Sequence, residues 1–282
     1  MSEIRVPPFL KWAGGKRWLV AYHSDWLRKS EGRHIEPFLG SGAVYFHLAP
    51  DQSVLSDSNK ELIETYRAIR DDPDSVVRQL KIHQNQHSDD YYYEIRARKP
   101  RTPSTRAARF LYLNRTCFNG LYRVNLYGEF NVPKGTKSAV ILPSDDFFAT
   151  SQLLQTAELF ATDFEETIED VKANDFIYVD PPYTVKHNNN NFVKYNEHIF
   201  SWSDQNRLSK CILKAAQRGA HVLISNADHP SIRELYKNKI WAKLSVDRFS
   251  RLAASSDFRR DTTELVISNY LSRTGKIVEP RT

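Results

Sequence analysis

The stretch DFIYVDPPYT (175–184) decides the fold. Phe176, Ile177, Tyr178 and Val179 make a run of strand-forming apolar residues, and the run ends on an acid, two prolines and an aromatic ring. An apolar strand that delivers a carboxylate at its end fits a parallel α/β sheet, where ligands sit outside the carboxyl ends of the strands. The prolines fix their own backbone dihedrals and supply no competing N–H. Asp180 carboxylate and Pro181 carbonyl then offer two acceptors pointing the same way, matched to the two N–H donors of an exocyclic amine. With both donors held, the nitrogen lone pair leaves conjugation with its ring and faces an electrophile. Tyr183 gives a base a plane to stack on, worth about 1–3 kcal/mol. An ordinary Pro-Pro turn at a strand end accounts for the prolines, but not for acid and ring together.

The flanking sequence repeats the strand–helix alternation. HIEPFLGSGAVYFHLA (34–49) reads as a short strand, a glycine-containing turn and a helix, and SVLSD (53–57) as a strand ending in an acid. Leu62, Ile63, Tyr66 and Ile69 share one helical face, with Pro73 as the stop. Leu208, Cys211, Ile212 and Ala215 predict another helix, capped by Ser203 and ended before Gly219. HVLISN (221–226) and TELVISNY (263–270) read as strands. The sum is a largely parallel, doubly wound α/β sheet.

The middle differs. YYYEIRARKPRTPSTRAARFLYLNR (91–115) is rich in arginine and tyrosine, and LYRVNLYGEFNVP (121–133) predicts a hairpin turning near Tyr127-Gly128. Residues 61–147 are therefore expected as an inserted module between residues 1–60 and 148–272 of the α/β domain, with 273–282 as a C-terminal tail. The Asn188–Asn191 tract predicts a mobile loop.

Each motif has a plain reading beside the functional one. In EPFLGSGAV (36–44), Gly40 and Gly42 let backbone approach a ligand, or simply make a tight turn. The third glycine of a dinucleotide fingerprint is missing and no GK[ST] follows. Asp57 ends the next strand, where a ribose-binding acid belongs, and equally where a helix N-cap belongs. In FLKWAGGKRWL (9–19), adjacent glycines between Trp12 and Lys16 bring an aromatic and a cation close to backbone. Reaching a base inside a duplex requires flipping it out, at about a few kcal/mol. RARKPRTPSTRAAR (96–109), with Arg96 and Arg98 among six cations and no acid, supplies phosphate contacts for that task or is a solvated surface run. Asn119, Arg123 and Asn125 match base edges, adenine for Asn and guanine for Arg, if the hairpin enters the major groove; otherwise they face water.

Composition sets the outer bounds. The 282 residues carry a formal net charge of +6, which favours a polyanionic partner. Cys117 and Cys211 are too few for a disulfide framework and have no CxxC partner, and the histidines are scattered, so neither zinc nor another metal is expected. Cys117 follows Thr116 rather than a proline, unlike the nucleophile of a cytosine C5 enzyme. No signal-like h-region or membrane-spanning apolar run is present. A soluble, cytoplasmic setting is the expectation, with no membrane partner.

In order along the chain stand KWAGGK (11–16), EPFLGSGAV, SDSNKELI (56–63), LNRTCFNGLYRVN with GEFNVP (113–133), DPPY (180–183) and LISN (223–226). Together they resemble the Dam-type, D12-class DNA adenine-N6 methyltransferases of bacteria and phages, over residues 9 to about 270. The resemblance implies a Rossmann-like S-adenosylmethionine-dependent methyltransferase fold, with an inserted, mainly helical target-recognition domain carrying a β-hairpin. It implies S-adenosyl-L-methionine (SAM) as donor, S-adenosyl-L-homocysteine as product, double-stranded DNA as partner, and a possible pairing with a restriction endonuclease. Trp12, Ala13, Gly14, Lys16, Pro37, Phe38, Gly40, Gly42, Asp57, Asp163, Phe164 and Asp180 are then the donor-binding set, with Asp163 and Phe164 flanking its adenine. Asp180, Pro181, Pro182 and Tyr183 form the catalytic loop. Arg96, Arg98, Arg115, Asn119, Leu121, Arg123, Asn125 and Pro133 are the DNA contacts. GATC is the expected site, although Thr136, Lys137 and Ser138 stand where GATC-reading members commonly carry Arg-Tyr-Lys. The alternatives are an N4-cytosine or RNA amino methyltransferase, which DPPY serves equally, and a DNA-binding protein without catalysis.

Overall fold

The computed structural model describes residues 6–125, 127–185, 200–249 and 261–278. In chain order the elements are α1 (Arg17–Tyr22), β1 (His34–Glu36), α2 (Ala43–Leu48), β2 (Ser53–Asp57), α3 (Lys60–Asp71), α4 (Pro73–Gln86), α5 (Asp89–Ala97) and α6 (Pro103–Thr116). There follow α7 (Phe147–Leu154), β3 (Ala157–Ala161), α8 (Phe164–Glu169), β4 (Phe176–Val179), α9 (Trp202–Gln217), β5 (His221–Ala227), α10 (Pro230–Leu235), β6 (Ala242–Phe249) and β7 (Asp261–Ser268). The strands form one mixed sheet in the order β3-β2-β1-β4-β5-β7-β6. β4 pairs in parallel with β1 and β5, whereas β7 is antiparallel to both β5 and β6. β7 alone thus departs from the parallel expectation, since β6, antiparallel to β7, runs in the direction of β5. β6 (AKLSVDRF) gives little strand signal in the sequence because its four polar positions dilute the apolar pattern.

The chain packs as two compact units, Met1–Arg17 with Leu39–Asp51 and Leu55–Thr162, and Trp18–Phe38 with Gln52–Val54 and Asp163–Thr282. Tyr66, Tyr92, Phe110 and Tyr112 of the middle segment bury into the same apolar cluster as Phe9, Leu39, Phe46, Phe147 and Leu159.

In the first unit, α3 follows its sequence closely. Asn59 accepts from the N–H of Leu62 at 3.1 Å, and Leu62, Ile63, Tyr66 and Ile69 are fully buried. Each such side chain contributes about 1.5–3 kcal/mol of burial. The helix ends at Asp71, and Pro73 opens α4 at its first turn, where a missing N–H is harmless. Asp72, Ser88 and Thr102 cap α4, α5 and α6. The hairpin expected over 121–133 is shorter than a two-stranded ribbon: Val124 bridges Phe130, and Cys117 bridges Lys134, as isolated antiparallel pairs.

In the second unit, the cap of α9 is Ser201 rather than Ser203. Ser201 and Asp204 satisfy each other's backbone N–H in a reciprocal capping box, which starts the helix earlier. The expected tail begins as a folded turn, with Leu271 bridging Ile277 and the N–H of Val278 donating to the Tyr270 carbonyl at 2.8 Å. The Asn188–Asn191 tract lies outside the described residues. No described helix is long and apolar enough to cross a membrane.

Candidate active site

In the first unit the two glycine motifs meet. The N–H of Gly15 donates to the Trp12 carbonyl at 3.1 Å, closing a four-residue turn whose third residue, Gly14, has φ +77°. The Trp12 indole, stacked on Tyr122 at 5.6 Å, lies against Gly40, where a Cβ would sit 2.7 Å from Trp12 Cδ1. Gly40 also has φ +48°, so the position needs glycine on two counts. Its carbonyl accepts from Tyr66 Oη at 3.1 Å, and its N–H donates to Asp57 Oδ2 at 3.1 Å. A Cβ at Gly42 would lie 3.1 Å from the same Tyr66 hydroxyl. Asp57 Oδ1 accepts from the N–H of Asn59 at 2.9 Å, while Asn59, not Asp57, caps α3. Burial pushes the Asp57 carboxyl above its ordinary pKa, against the pull of these two N–H donors. Lys16 is buried and donates to the Gly14 carbonyl at 2.6 Å, which stiffens the turn; Ala13 stands exposed.

The middle segment divides the residues expected to contact DNA. Asn119 is exposed at φ +56°, and Leu121, Arg123 and Pro133 are exposed beside it. Arg123 Nε donates to Asn131 Oδ1 at 2.9 Å, which orients the guanidinium. Asn125 instead builds the turn: its Oδ1 accepts from the N–H groups of Tyr127 and Glu129, and its Nδ2 donates to Glu129. Arg115 sits apart from the exposed residues. It is 4% exposed, makes a two-pronged pair with Asp145 at 2.6 and 2.7 Å, and donates to the Phe9 and Val140 carbonyls. A guanidinium so committed holds the core. Arg96 and Arg98 line a cavity of about 520 Å³ with Lys99, Arg106 and Arg109, where Glu61, Glu64 and Glu129 offset part of the charge. Burial, then the neighbouring Lys137, pushes the Lys11 amine down to about 8. Cys117 is buried, its thiol pushed up to about 11 by burial, which suits a core residue and not a nucleophile.

In the second unit, β1 and β4 are adjacent where the strand order reverses, the position at which open α/β sheets bind ligands. β1 ends in Glu36-Pro37-Phe38 and β4 runs into Asp180-Pro181-Pro182-Tyr183. Pro37 is buried, and Phe38 stacks on Phe164 with centroids 5.5 Å apart. Phe164 is itself buried. Asp163 caps α8 through the N–H of Glu165 and pairs with Arg207 at 3.0 Å, so its carboxylate serves the fold.

The DPPY loop is held at several points. The Pro182 carbonyl accepts from Gln205 Nε2 at 3.4 Å, and Gln205 Oε1 accepts from Asn226 Nδ2 at 3.2 Å. Thr184 Oγ1 donates to the Phe200 carbonyl at 2.6 Å. Tyr183 Oη donates to Glu264 Oε2 at 2.9 Å. Burial, then the charges of Asp180 and Glu264, push the Tyr183 phenol well above its ordinary pKa, and burial with Asp180 does the same at Tyr178. Sequence reading missed Gln205 and Glu264. An acid inside the apolar run TELVISNY was the available signal for Glu264; a lone helical glutamine gives none. Among the described residues no group of three or more His, Cys, Asp or Glu is placed to hold a metal ion.

The strand order, with a final antiparallel strand inserted before the edge, and the acid–proline loop at the reversal point define a Rossmann-like methyltransferase. The chain belongs to the D12 class of N6 adenine-specific DNA methyltransferases, whose family description matches residues 12–250. It is 37% identical to the type II methyltransferase M1.LlaDCHI of Lactococcus lactis subsp. cremoris, over 95% of this chain and 97% of that one. It is 34% identical to the type II methyltransferase M.MjaIII of Methanocaldococcus jannaschii, over 95% and 100%. It is 32% identical to the DNA adenine methylase of Escherichia coli K12, over 93% and 94%.

Proposed function

We propose that this chain transfers a methyl group from SAM to the N6 amine of an adenine flipped out of duplex DNA, at GATC or a related site. The observation that carries the reading is the end of β4, where Asp180 and two prolines follow a fully apolar strand at the sheet's reversal point. The first-unit residues suit the donor. Gly40 presents an N–H already bound to the Asp57 carboxylate, and that carboxylate is the expected partner of ribose hydroxyls. The Trp12 ring against Gly40 gives an apolar face beside it. Bound SAM would supply an activated methyl on a sulfonium sulfur.

The chain's own task is then positional. Asp180 and the Pro181 carbonyl accept the two amine N–H groups, which turns the nitrogen lone pair out of the purine plane. Tyr183 stacks on the extruded base. Alignment of this kind accounts for several kcal/mol of barrier, up to about 7–11 in favourable systems. Residues 61–147 are assigned to target recognition, with Asn119, Leu121, Arg123 and Pro133 reading bases. Arg96, Arg98 and the Lys11–Lys137 pair serve the phosphates, consistent with the crowding of charge at Lys11. Pairing with a restriction endonuclease is part of the proposal, in line with the names of the two type II relatives.

Methylation-sensitive sequencing of DNA from cells expressing the chain tests the whole reading. N6-methyladenine at one short motif is the expected result. Methylation at cytosine N4 alone, or none above the level of cells without the chain, overturns it.

A further inference from the structure

Glu264 lies on β7, 3% exposed, in a strand whose neighbours Leu265, Val266 and Ile267 are fully buried. An acid at such a position is disfavoured unless a partner compensates it, because burial strips its hydration. Its Oε2 accepts the hydroxyl proton of Tyr183 at 2.9 Å, which satisfies one of its buried oxygens. The two residues are 81 positions apart, so the contact ties β7 to the loop after β4.

The other parts of that loop are already fixed. The Pro182 carbonyl is held by Gln205, Gln205 by Asn226 of the LISN block, and Thr184 by the Phe200 carbonyl. These bonds constrain backbone at Pro182 and the side chain of Thr184, yet none of them sets the orientation of the Tyr183 ring. The bond to Glu264 does, since it grips the far end of the side chain. Tyr183 remains partly exposed.

We infer that Glu264 is a positioning residue for the reaction, fixing the plane of the Tyr183 ring on which the extruded adenine stacks. The inference rests on the proposed amine methylation of a flipped base. Glu264 touches neither base nor donor in this account. It acts through Tyr183, and a tilt of that ring displaces the amine from Asp180 and the Pro181 carbonyl. Misplacement by about 1 Å lowers a rate on the order of a hundredfold.

The test compares wild type, Glu264→Ala, Glu264→Gln, Tyr183→Phe and the Glu264→Ala/Tyr183→Phe double variant, on a duplex carrying the motif that sequencing identifies for the wild type. Single-turnover methyl transfer and SAM affinity are measured for each, with thermal unfolding as the check on folding. Glu264→Ala and Tyr183→Phe are expected to lose about tenfold to a hundredfold in the transfer rate, with SAM affinity within about twofold of wild type. Glu264→Gln retains an acceptor for the phenol and is expected within about fivefold of wild type. The double variant is expected to be no slower than the worse single one, because both changes break one link.

Glu264→Ala within about twofold of wild type overturns the inference. So does Glu264→Gln as slow as Glu264→Ala, or a double variant whose loss is the product of the single losses. Should Glu264→Ala not fold, Tyr183→Phe and Glu264→Gln decide, and Tyr183→Phe at wild-type rate is the overturning result. A wild-type chain that methylates no DNA fails the underlying reading as well, and so is distinguished from failure of Glu264 alone.

Discussion

The N–H of Gly40 donates to Oδ2 of Asp57 at 3.1 Å, while Oδ1 of the same carboxylate accepts from Asn59. One acid therefore joins the glycine turn to the start of α3, and burial raises its pKa. A raised carboxyl pKa means the fold favours the neutral form: its stabilising share is present below the unfolded pKa and is lost as pH rises through the folded one. Where ionised, Asp57 works against stability, a feature expected of a binding residue. Asp57→Asn removes that charge but leaves one acceptor for two N–H donors. SAM affinity is expected to fall about tenfold or more, a loss of ~1.4 kcal/mol, with the melting temperature changed by only about 4 °C or less. Isothermal titration and thermal unfolding check both; unchanged SAM affinity removes Asp57 from the donor site.

Arg115 makes the opposite prediction to a DNA contact. Truncation to Ala leaves Asp145 buried without its guanidinium partner, a loss of about 3–5 kcal/mol for a buried pair broken on one side. Urea unfolding is expected to show that loss. Weakened DNA binding at unaltered stability would return Arg115 to the interface.

Among the α4–α6 helices, His83 Nδ1 lies 2.8 Å from the Tyr91 hydroxyl and its ring stacks on Tyr112 at 5.0 Å. Burial, then Arg98, lowers its pKa from 6.5 to about 4. The folded pKa is depressed, so the stabilising share is present above pH 6.5 and is lost as pH falls toward about 4. The loss over that window is on the order of 3 kcal/mol. His83→Phe is expected to flatten the acid limb of the stability–pH curve; an unchanged limb assigns the acid sensitivity to other groups.

Arg123 is exposed and its Nε is bound to Asn131. If it reads guanine, Arg123→Ala relaxes discrimination at that base pair by about 1–3 kcal/mol. Methylation rates on duplexes with single mismatched positions provide the check. A ranking identical to wild type removes Arg123 from base readout.

The parallel half of the sheet was legible because its strands are apolar on both faces: FIYV and HVLIS stand out without context. Helix α3 was legible for the corresponding helical reason, four buried residues on one face. β6 was not, since a strand at the sheet edge, paired only to β7, alternates polar residues that mimic a loop. The glycine motifs announced a close approach, but not that Trp12 is what Gly40 approaches, because that contact joins residues 28 apart. Arg115 looks in sequence like the other arginines of its stretch, and only tertiary burial marks it out. Glu264 was hidden by lying in an apolar strand, where its partner Tyr183 is far away in sequence.

Single-turnover transfer of a labelled methyl group from SAM to duplex DNA by Asp180→Ala, beside a SAM-binding titration of the same variant, tests most directly the proposed grip of Asp180 on the adenine amine. Transfer is expected to fall by about a thousandfold or more, ~4 kcal/mol of transition-state stabilisation, while SAM binding stays within about fivefold of wild type. Transfer within a few-fold of the wild-type rate would contradict the account.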